Sequence, residues 1–186
     1  MKLKIIGITG LIFLIINQLL LLKGNEFIQT QQPIDYAHWL LLLGVLFSLS
    51  LNHVFSDNMF SNTATILTSL GVVALIGQST IDFLWWSYGT DYVGMENLTR
   101  QIMSKPSIRI PFVTIGPALF YLGLAVHASK LIKRQPVGVI IVFLSLITNA
   151  LGSFAFDNRI IVVAGHILLA LGINLLLFRK EVSNSK

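Results

Sequence analysis

The residues of this chain that are most able to do chemistry are polar side chains set within long apolar runs. They are Asp82, His166, Asn149, Gln78, Gln18 and Tyr121. An ionised aspartate at the centre of a membrane-spanning helix costs about 2.5–3.5 kcal/mol, so such residues commonly mark ligand or ion sites. We therefore predict a ligand-binding site formed by these six residues.

Asp82 is the most informative residue of this set, because a carboxylate in an apolar run needs a partner, a proton or water. His166 is the expected partner, since a neighbouring carboxylate favours the charged imidazole and the reference pKa of histidine is near 6.5. Asp82 would bear the charge, His166 would make the site sensitive to pH, and the amides would orient the ligand. The alternative is that Asp82 reaches interfacial water, or that Gln78 binds it from one helical turn earlier.

The histidines allow a second interpretation. His38 and His166 on the outer side, and His53 and His127 on the inner side, form two pairs at roughly matched depth. Two imidazoles from facing helices are the ligands of a b-type haem, so these pairs predict an electron-transfer protein as an alternative. Against this, His38, His53 and His127 lie near the ends of their runs, where an interfacial histidine needs no special explanation.

Other kinds of site find little support in the sequence. The absence of cysteine excludes disulfides, thiol catalysis, iron–sulfur clusters and cysteine-based zinc sites. The chain contains no H-E-x-x-H, G-x-S-x-G, P-loop or G-x-G-x-x-G motif, and no carboxylate–histidine spacing typical of a metal site. No catalytic residue or cofactor is assigned on this basis. A membrane enzyme that acts on a lipid or isoprenoid through Asp82 and His166 remains a rival hypothesis.

The elements that must position these residues are apolar helices. Hydrophobic residues make up 54% of the 186-residue chain and charged residues 11%, whereas a soluble domain carries roughly 25% charged residues. Six apolar runs approach the length of about 20 residues that a helix needs to cross a bilayer. They cover 5–22, 38–55, 64–86, 111–132, 137–156 and 160–178. The second run is the weakest, because Ser48, Ser50, Asn52 and His53 crowd its end.

These runs predict an all-α, polytopic integral membrane bundle of six transmembrane helices, with residues 1–186 as a single transmembrane domain and an outer loop at 87–110. Basic residues accumulate on the cytoplasmic side of membrane proteins. With both termini cytoplasmic, the inner set is Lys2, Lys4, Lys130, Lys133, Arg134, Arg179, Lys180 and Lys186, against Lys23, Arg100, Lys105, Arg109 and Arg159 outside. This orientation places the six polar residues in the outer half of the bilayer.

The basic residues flank apolar runs and form no stripe, so the net charge of +5 predicts contact with lipid head groups and no nucleic-acid partner. We expect a multi-pass protein of the cell membrane, with the lipid bilayer and a small-molecule or lipid ligand as its partners. Protein partners are not indicated.

Two local patterns predict details of the architecture. Met95, Leu98 and Ile102 recur at helical spacing in the outer loop, which is typical of a short amphipathic helix on the membrane surface. An ordinary solvated loop is the alternative. Pro117 lies inside the fourth run and predicts a kink there.

Overall fold

A computed structural model describes residues 1–55 and 59–178 of the chain. Arg179, Lys180 and Lys186 of the predicted inner basic set lie outside the described residues. Within the two described ranges all regular secondary structure is helical, and no strand is present. The predicted all-α class is therefore confirmed.

The α-helices are α1 (Lys2–Leu21), α2 (Asn25–Gln29), α3 (Tyr36–Ser48), α4 (Met59–Ser87), α5 (Tyr92–Met103), α6 (Pro106–Arg109), α7 (Gly116–Ser129), α8 (Pro136–Ala150) and α9 (Arg159–Phe178). Three shorter stretches extend them. A 3-10 helix, Leu49–His53, continues α3. One π-helical stretch, Ile110–Thr114, joins α6 to α7, and another, Leu151–Ala155, continues α8.

Five helical segments are long and apolar enough to cross a membrane: Lys2–Leu21, Phe60–Ser87, Pro106–Ser129, Pro136–Ala155 and Arg159–Phe178. Their length and composition fit a membrane protein. The second predicted run, 38–55, is not among them, because the regular helix ends at Ser48. The Ser48 hydroxyl donates to the Gly44 carbonyl at 2.8 Å, and Ser50 donates to Phe47 at 2.8 Å. Serine hydroxyls that bond to backbone carbonyls in this way compete with regular helix.

The helices pack chiefly as three pairs, α1 with α3, α4 with α7, and α8 with α9. Glycines allow the backbones of these pairs to approach closely, as small residues do between membrane helices. A Cβ atom on Gly10 would lie 2.6 Å from the Gly44 carbonyl oxygen, and one on Gly71 would lie 2.2 Å from the Phe120 backbone nitrogen. Packing is thus the role of these glycines.

The core and the outer surface are both apolar. Leu14, Phe120, Leu124 and Ile173 are fully buried in the core. Many large hydrophobic side chains point outward, Ile66 being 60% exposed. An outer surface of this kind is unsuited to water and suits the hydrocarbon of a bilayer.

The pattern of Met95, Leu98 and Ile102 forms helix α5, so the solvated-loop alternative is wrong. Met95 is buried, whereas Glu96 and Arg100 form an exposed ion pair at 2.8 Å. Asp91 caps the helix by accepting a hydrogen bond from the Gly94 backbone nitrogen at 2.9 Å. These contacts separate an apolar face from a charged one.

A π-helical stretch lies just before Pro117, and the predicted kink at Pro117 itself stays a prediction. Pro117 falls in the first turn of α7, after the π-helical stretch Ile110–Thr114. Because Pro117 has no backbone N–H, it cannot bond to the carbonyl of the preceding turn. The Ile115 nitrogen instead donates to the Ile110 carbonyl at 2.9 Å, five residues back. This hydrogen bond to the fifth preceding residue makes the turn wider than that of an α-helix.

Candidate functional site

A cavity of about 1070 Å³ lies at the end of the bundle where α1, α4 and α8 finish and α3, α7 and α9 begin. All six residues predicted to bind a ligand line this cavity: Gln18 of α1, Gln78 and Asp82 of α4, Tyr121 of α7, Asn149 of α8 and His166 of α9. The structure thus brings together residues that are distant in sequence. Their binding of a ligand stays a prediction.

The expected pairing of Asp82 with His166 is wrong, because His166 is fully engaged elsewhere. Its Nδ1 lies 2.8 Å from the Val162 carbonyl oxygen and its Nε2 lies 2.8 Å from the Tyr121 hydroxyl. A carbonyl only accepts, so Nδ1 carries a proton, and in the neutral ring Nε2 accepts from the Tyr121 hydroxyl.

Asp82 instead faces His38, with 3.6 Å between Asp82 Oδ2 and His38 Nε2. The Asp82 side chain is 25% exposed, so the cavity reaches it, whereas the His38 side chain is almost buried. Helix α3 packs beside α4, and this neighbour relationship brings the two residues together.

Asp35 fixes the orientation of His38. It is the N-cap of α3, where its Oδ1 accepts from the His38 backbone nitrogen at 3.2 Å. Its Oδ2 lies 2.5 Å from His38 Nδ1, and Asp35 itself is buried. Because Asp35 holds Nδ1, the other ring nitrogen of His38 is directed to Asp82.

Sequence reasoning missed Asp35 and considered His38 only as a haem ligand. The available signal was an aspartate at the start of an apolar run, which is typical of an N-cap. A histidine three residues later lies within reach of the same side chain.

Hydrogen bonds between amides join the end of α1 to the start of α3. Asn17 is fully buried and donates to the Ala37 carbonyl at 2.9 Å, and Gln18 donates to Asn17 Oδ1 at 2.8 Å. Gln31 Oε1 accepts from the Ala37 nitrogen at 3.2 Å. Gln18 is thereby held at the cavity wall.

Three amide oxygens of cavity-lining residues are buried without a hydrogen-bond partner in the protein: Gln18 Oε1, Gln29 Oε1 and Asn149 Oδ1. A buried acceptor without a partner costs about 1–3 kcal/mol. Asn149 donates to the Ser145 carbonyl at 3.0 Å and packs on Gly165, where a Cβ atom would lie 2.6 Å from Asn149 Cγ. All three oxygens are shielded from solvent, so a ligand in the cavity would reach them only if their side chains rotate.

Helices α2 and α5 cover the cavity at the end of α4. The Trp85 indole donates to the Thr99 hydroxyl at 2.9 Å, and the Trp86 indole donates to the Ile28 carbonyl at 3.2 Å. Gln29 Nε2 of α2 donates to the Met95 sulfur of α5 at 3.6 Å. The two tryptophans therefore link α2 and α5, the helices that cover the cavity, to α4.

The two π-helical stretches also line the cavity, through Val113 and Thr114 in one and Gly152, Ser153 and Phe154 in the other. Wide helical turns of this kind occur frequently at functional sites. Asp157 follows the second stretch with a φ of 43°, and Asn158 then caps α9 through the Ile160 nitrogen at 2.9 Å. This turn places Arg159 on the cavity wall.

The contacts of the four histidines do not favour haem. His166 has both ring nitrogens bonded, and His38 lies between two carboxylates. On the other side, His127 is buried with its Nε2 3.1 Å from Asn52 Oδ1, whereas His53 is exposed. Across residues 1–55 and 59–178, no group of three or more histidine and acidic side chains is arranged to hold a metal ion. Haem ligation stays a prediction, which an absorption spectrum of the purified protein tests.

Comparisons with protein-family models, with curated proteins and with solved structures all give no significant match. A fold by itself does not define a function, because the function lies in the site that the fold carries. The chemistry of the end cavity is therefore what indicates the function of this chain.

Proposed function

We propose that this chain is a multi-pass protein of the cell membrane that binds, senses or transports a small molecule or lipid through its end cavity. One observation carries the proposal. Polar residues from five separate apolar helices converge on one cavity of about 1070 Å³. Each of these residues is energetically unfavourable in a membrane helix. Binding of one shared ligand would explain why all of them are present at the same place.

In this proposal α3 and the following 3-10 helix supply a sixth crossing, and both termini are cytoplasmic. The start of α1 and the end of α9 lie together, since Lys4 Nζ donates to the Leu177 carbonyl at 2.8 Å. This contact supports placing both ends of the described chain at one face of the bundle, with the cavity at the opposite, outer face.

Reporter fusions test this orientation. Fusions after Arg134 and after Lys186 should both report the cytoplasm, and one inserted within 92–105 should report the outside. A reversed pattern would place the cavity on the cytoplasmic side.

Within the site, Asp82 supplies the charge, His38 lies against its carboxylate, and Gln18, Gln78 and Asn149 orient the ligand. His166 and Tyr121 form a hydrogen-bonded wall. Trp85 and Trp86 limit access from the end of the bundle.

Ligand-dependent thermal stabilisation of the purified protein tests the binding proposal. A compound or lipid that stabilises the parent should stabilise Asp82→Asn much less, because the substitution removes the charge on the cavity wall. Glu96→Gln is the matched control, since Glu96 is an exposed carboxylate of α5 that does not line the cavity. If Asp82→Asn raises basal stability and leaves the ligand response intact, the cavity is not a charged ligand site.

A membrane enzyme that acts on a lipid or isoprenoid is the second candidate, and the Asp35–His38 contact favours it. A carboxylate that holds one ring nitrogen of a histidine can direct the other to act as a general base. Turnover in a lipid-product assay that is lost in Asp82→Asn would support the enzyme. Ligand stabilisation without turnover would support the binding protein.

A further inference from the structure

An apolar groove lies next to the polar cavity on the side of the bundle. This groove has a volume of about 400 Å³ and is lined by Ser129, Ile132, Val139, Ile140, Phe143, Leu144 and Ile147. Ile147 lines both the groove and the polar cavity, so the two spaces meet at this residue. From Val139 to Ile147 the groove follows α8 for about 12 Å, at 1.5 Å per residue.

The junction lies between α7 and α8, which pack less closely on each other than α7 packs on α4 or α8 on α9. On this side the cavity is lined by Leu122, Ile147 and Phe154, which are 43%, 56% and 68% exposed. Exposed apolar side chains around an opening suit contact with hydrocarbon rather than water. A ligand could therefore enter sideways from the bilayer.

The polar cavity also presents charges of both signs. Asp82 and Arg159 both line it, yet they form no ion pair with each other within the described part of the chain. A head group that carries an ammonium and a phosphate would match the carboxylate and the guanidinium together.

We propose that the cavity and the groove together bind a zwitterionic lipid. Its ammonium group lies at Asp82, its phosphate lies at Arg159, and one hydrocarbon chain lies in the groove between α7 and α8. The inference rests on the proposed ligand-binding function and defines its ligand class. A soluble ligand would need the polar cavity alone.

Lipid retention by the delipidated, detergent-purified protein tests this inference. Phosphatidylethanolamine and phosphatidylglycerol with identical chains are added separately, and the bound lipid is measured by native mass spectrometry. We expect phosphatidylethanolamine to bind at least about tenfold more tightly, as charge-assisted hydrogen bonds to an ammonium predict. Glycerophosphoethanolamine, which has the same head without chains, should bind at least about tenfold more weakly than the lipid, because it buries no hydrocarbon.

Two variants test the contributions of the lipid head group and of the hydrocarbon chain separately. Asp82→Asn should abolish the preference for phosphatidylethanolamine. Leu144→Trp should fill the groove without touching the polar cavity, and it should lower lipid retention while leaving the weak binding of glycerophosphoethanolamine unchanged. Leu171→Trp is the matched control, because Leu171 is 51% exposed on α9 and lines neither space, whereas Leu144 is 47% exposed.

The outcomes distinguish this inference from the function on which it rests. Equal binding of the two lipids by the parent protein would overturn the zwitterionic head group. Equal binding of the lipid and glycerophosphoethanolamine, with no effect of Leu144→Trp, would overturn the groove and leave a polar ligand site. No response to any of these probes, with Asp82→Asn identical to the parent, would overturn this inference and remove the support for a charged ligand site.

Discussion

His38 lies between two carboxylates whose contacts with it differ in kind. Asp35 is buried and also caps α3, so it belongs to the framework of the site. Asp82 lies on the cavity wall and is partly exposed. The first carboxylate therefore orients the imidazole, and the second is the one that a ligand can reach.

Asp35→Asn should lower the free energy of unfolding by about 1–3 kcal/mol, because a neutral amide replaces the charged acceptor at His38 Nδ1. The amide oxygen can still cap α3, so Asp35→Ala should cost about 1 kcal/mol more. Denaturant unfolding of the purified variants measures both differences. An Asp35→Asn protein as stable as the parent would show that the carboxylate charge is not needed to hold His38.

Tyr121→Phe should cost about 1–2 kcal/mol, since it leaves the buried Nε2 of His166 without its hydrogen-bond donor. Tyr36→Phe is the control, because Tyr36 is 50% exposed and its hydroxyl makes no hydrogen bond in the described structure. A surface substitution of that kind should change stability by no more than about 0.5 kcal/mol. Equal effects of the two variants in thermal unfolding would contradict the proposed role of the Tyr121 hydroxyl.

At the scale of the elements, the α4–α7 pair supports much of the cavity. Gln78 and Asp82 come from α4, and Tyr121 comes from α7. The close approach of these helices at Gly71 fixes how far apart the two sets of side chains lie.

Gly71→Ala should destabilise the protein by about 1–3 kcal/mol, because the added Cβ would lie 2.2 Å from the Phe120 nitrogen and the backbones must separate. The same separation should weaken ligand-dependent stabilisation. Val73→Leu is the control, because Val73 lies on α4 and is 60% exposed, and it should change neither stability nor ligand-dependent stabilisation. Thermal unfolding with and without ligand measures both; a Gly71→Ala variant that behaves like the parent would exclude tight α4–α7 packing.

For the whole molecule, the absence of cysteine allows the cavity to be mapped with single introduced thiols. Ser153→Cys places a thiol on the cavity wall, whereas Ser145→Cys places one at a fully buried position of the same helix. In intact cells, a membrane-impermeant thiol reagent should modify the first variant and not the second. Modification of Ser153→Cys only after the cells are opened would show that the cavity faces the cytoplasm.

The sequence by itself determined the all-α class, the apolar helices and the amphipathic face of α5. These properties depend on local composition and spacing, which a single chain displays directly. It also identified the polar residues, since a residue such as Asp82 or Asn149 is costly in an apolar run wherever that run packs. The end of α3 at Ser48 was less predictable, because serine side chains there compete with the helix for its carbonyls.

Only the tertiary structure decided which polar residues are partners. Asp82 faces His38 because α3 packs beside α4, whereas His166 on α9 is bonded to Tyr121 and its own backbone. Hydropathy gives the position of a residue along an apolar helix. It does not show which other helix packs beside that one, since any apolar helix can pack against any other. The junction of cavity and groove at Ile147 has the same origin, because it depends on the space between α7 and α8 and not on any pattern within either helix.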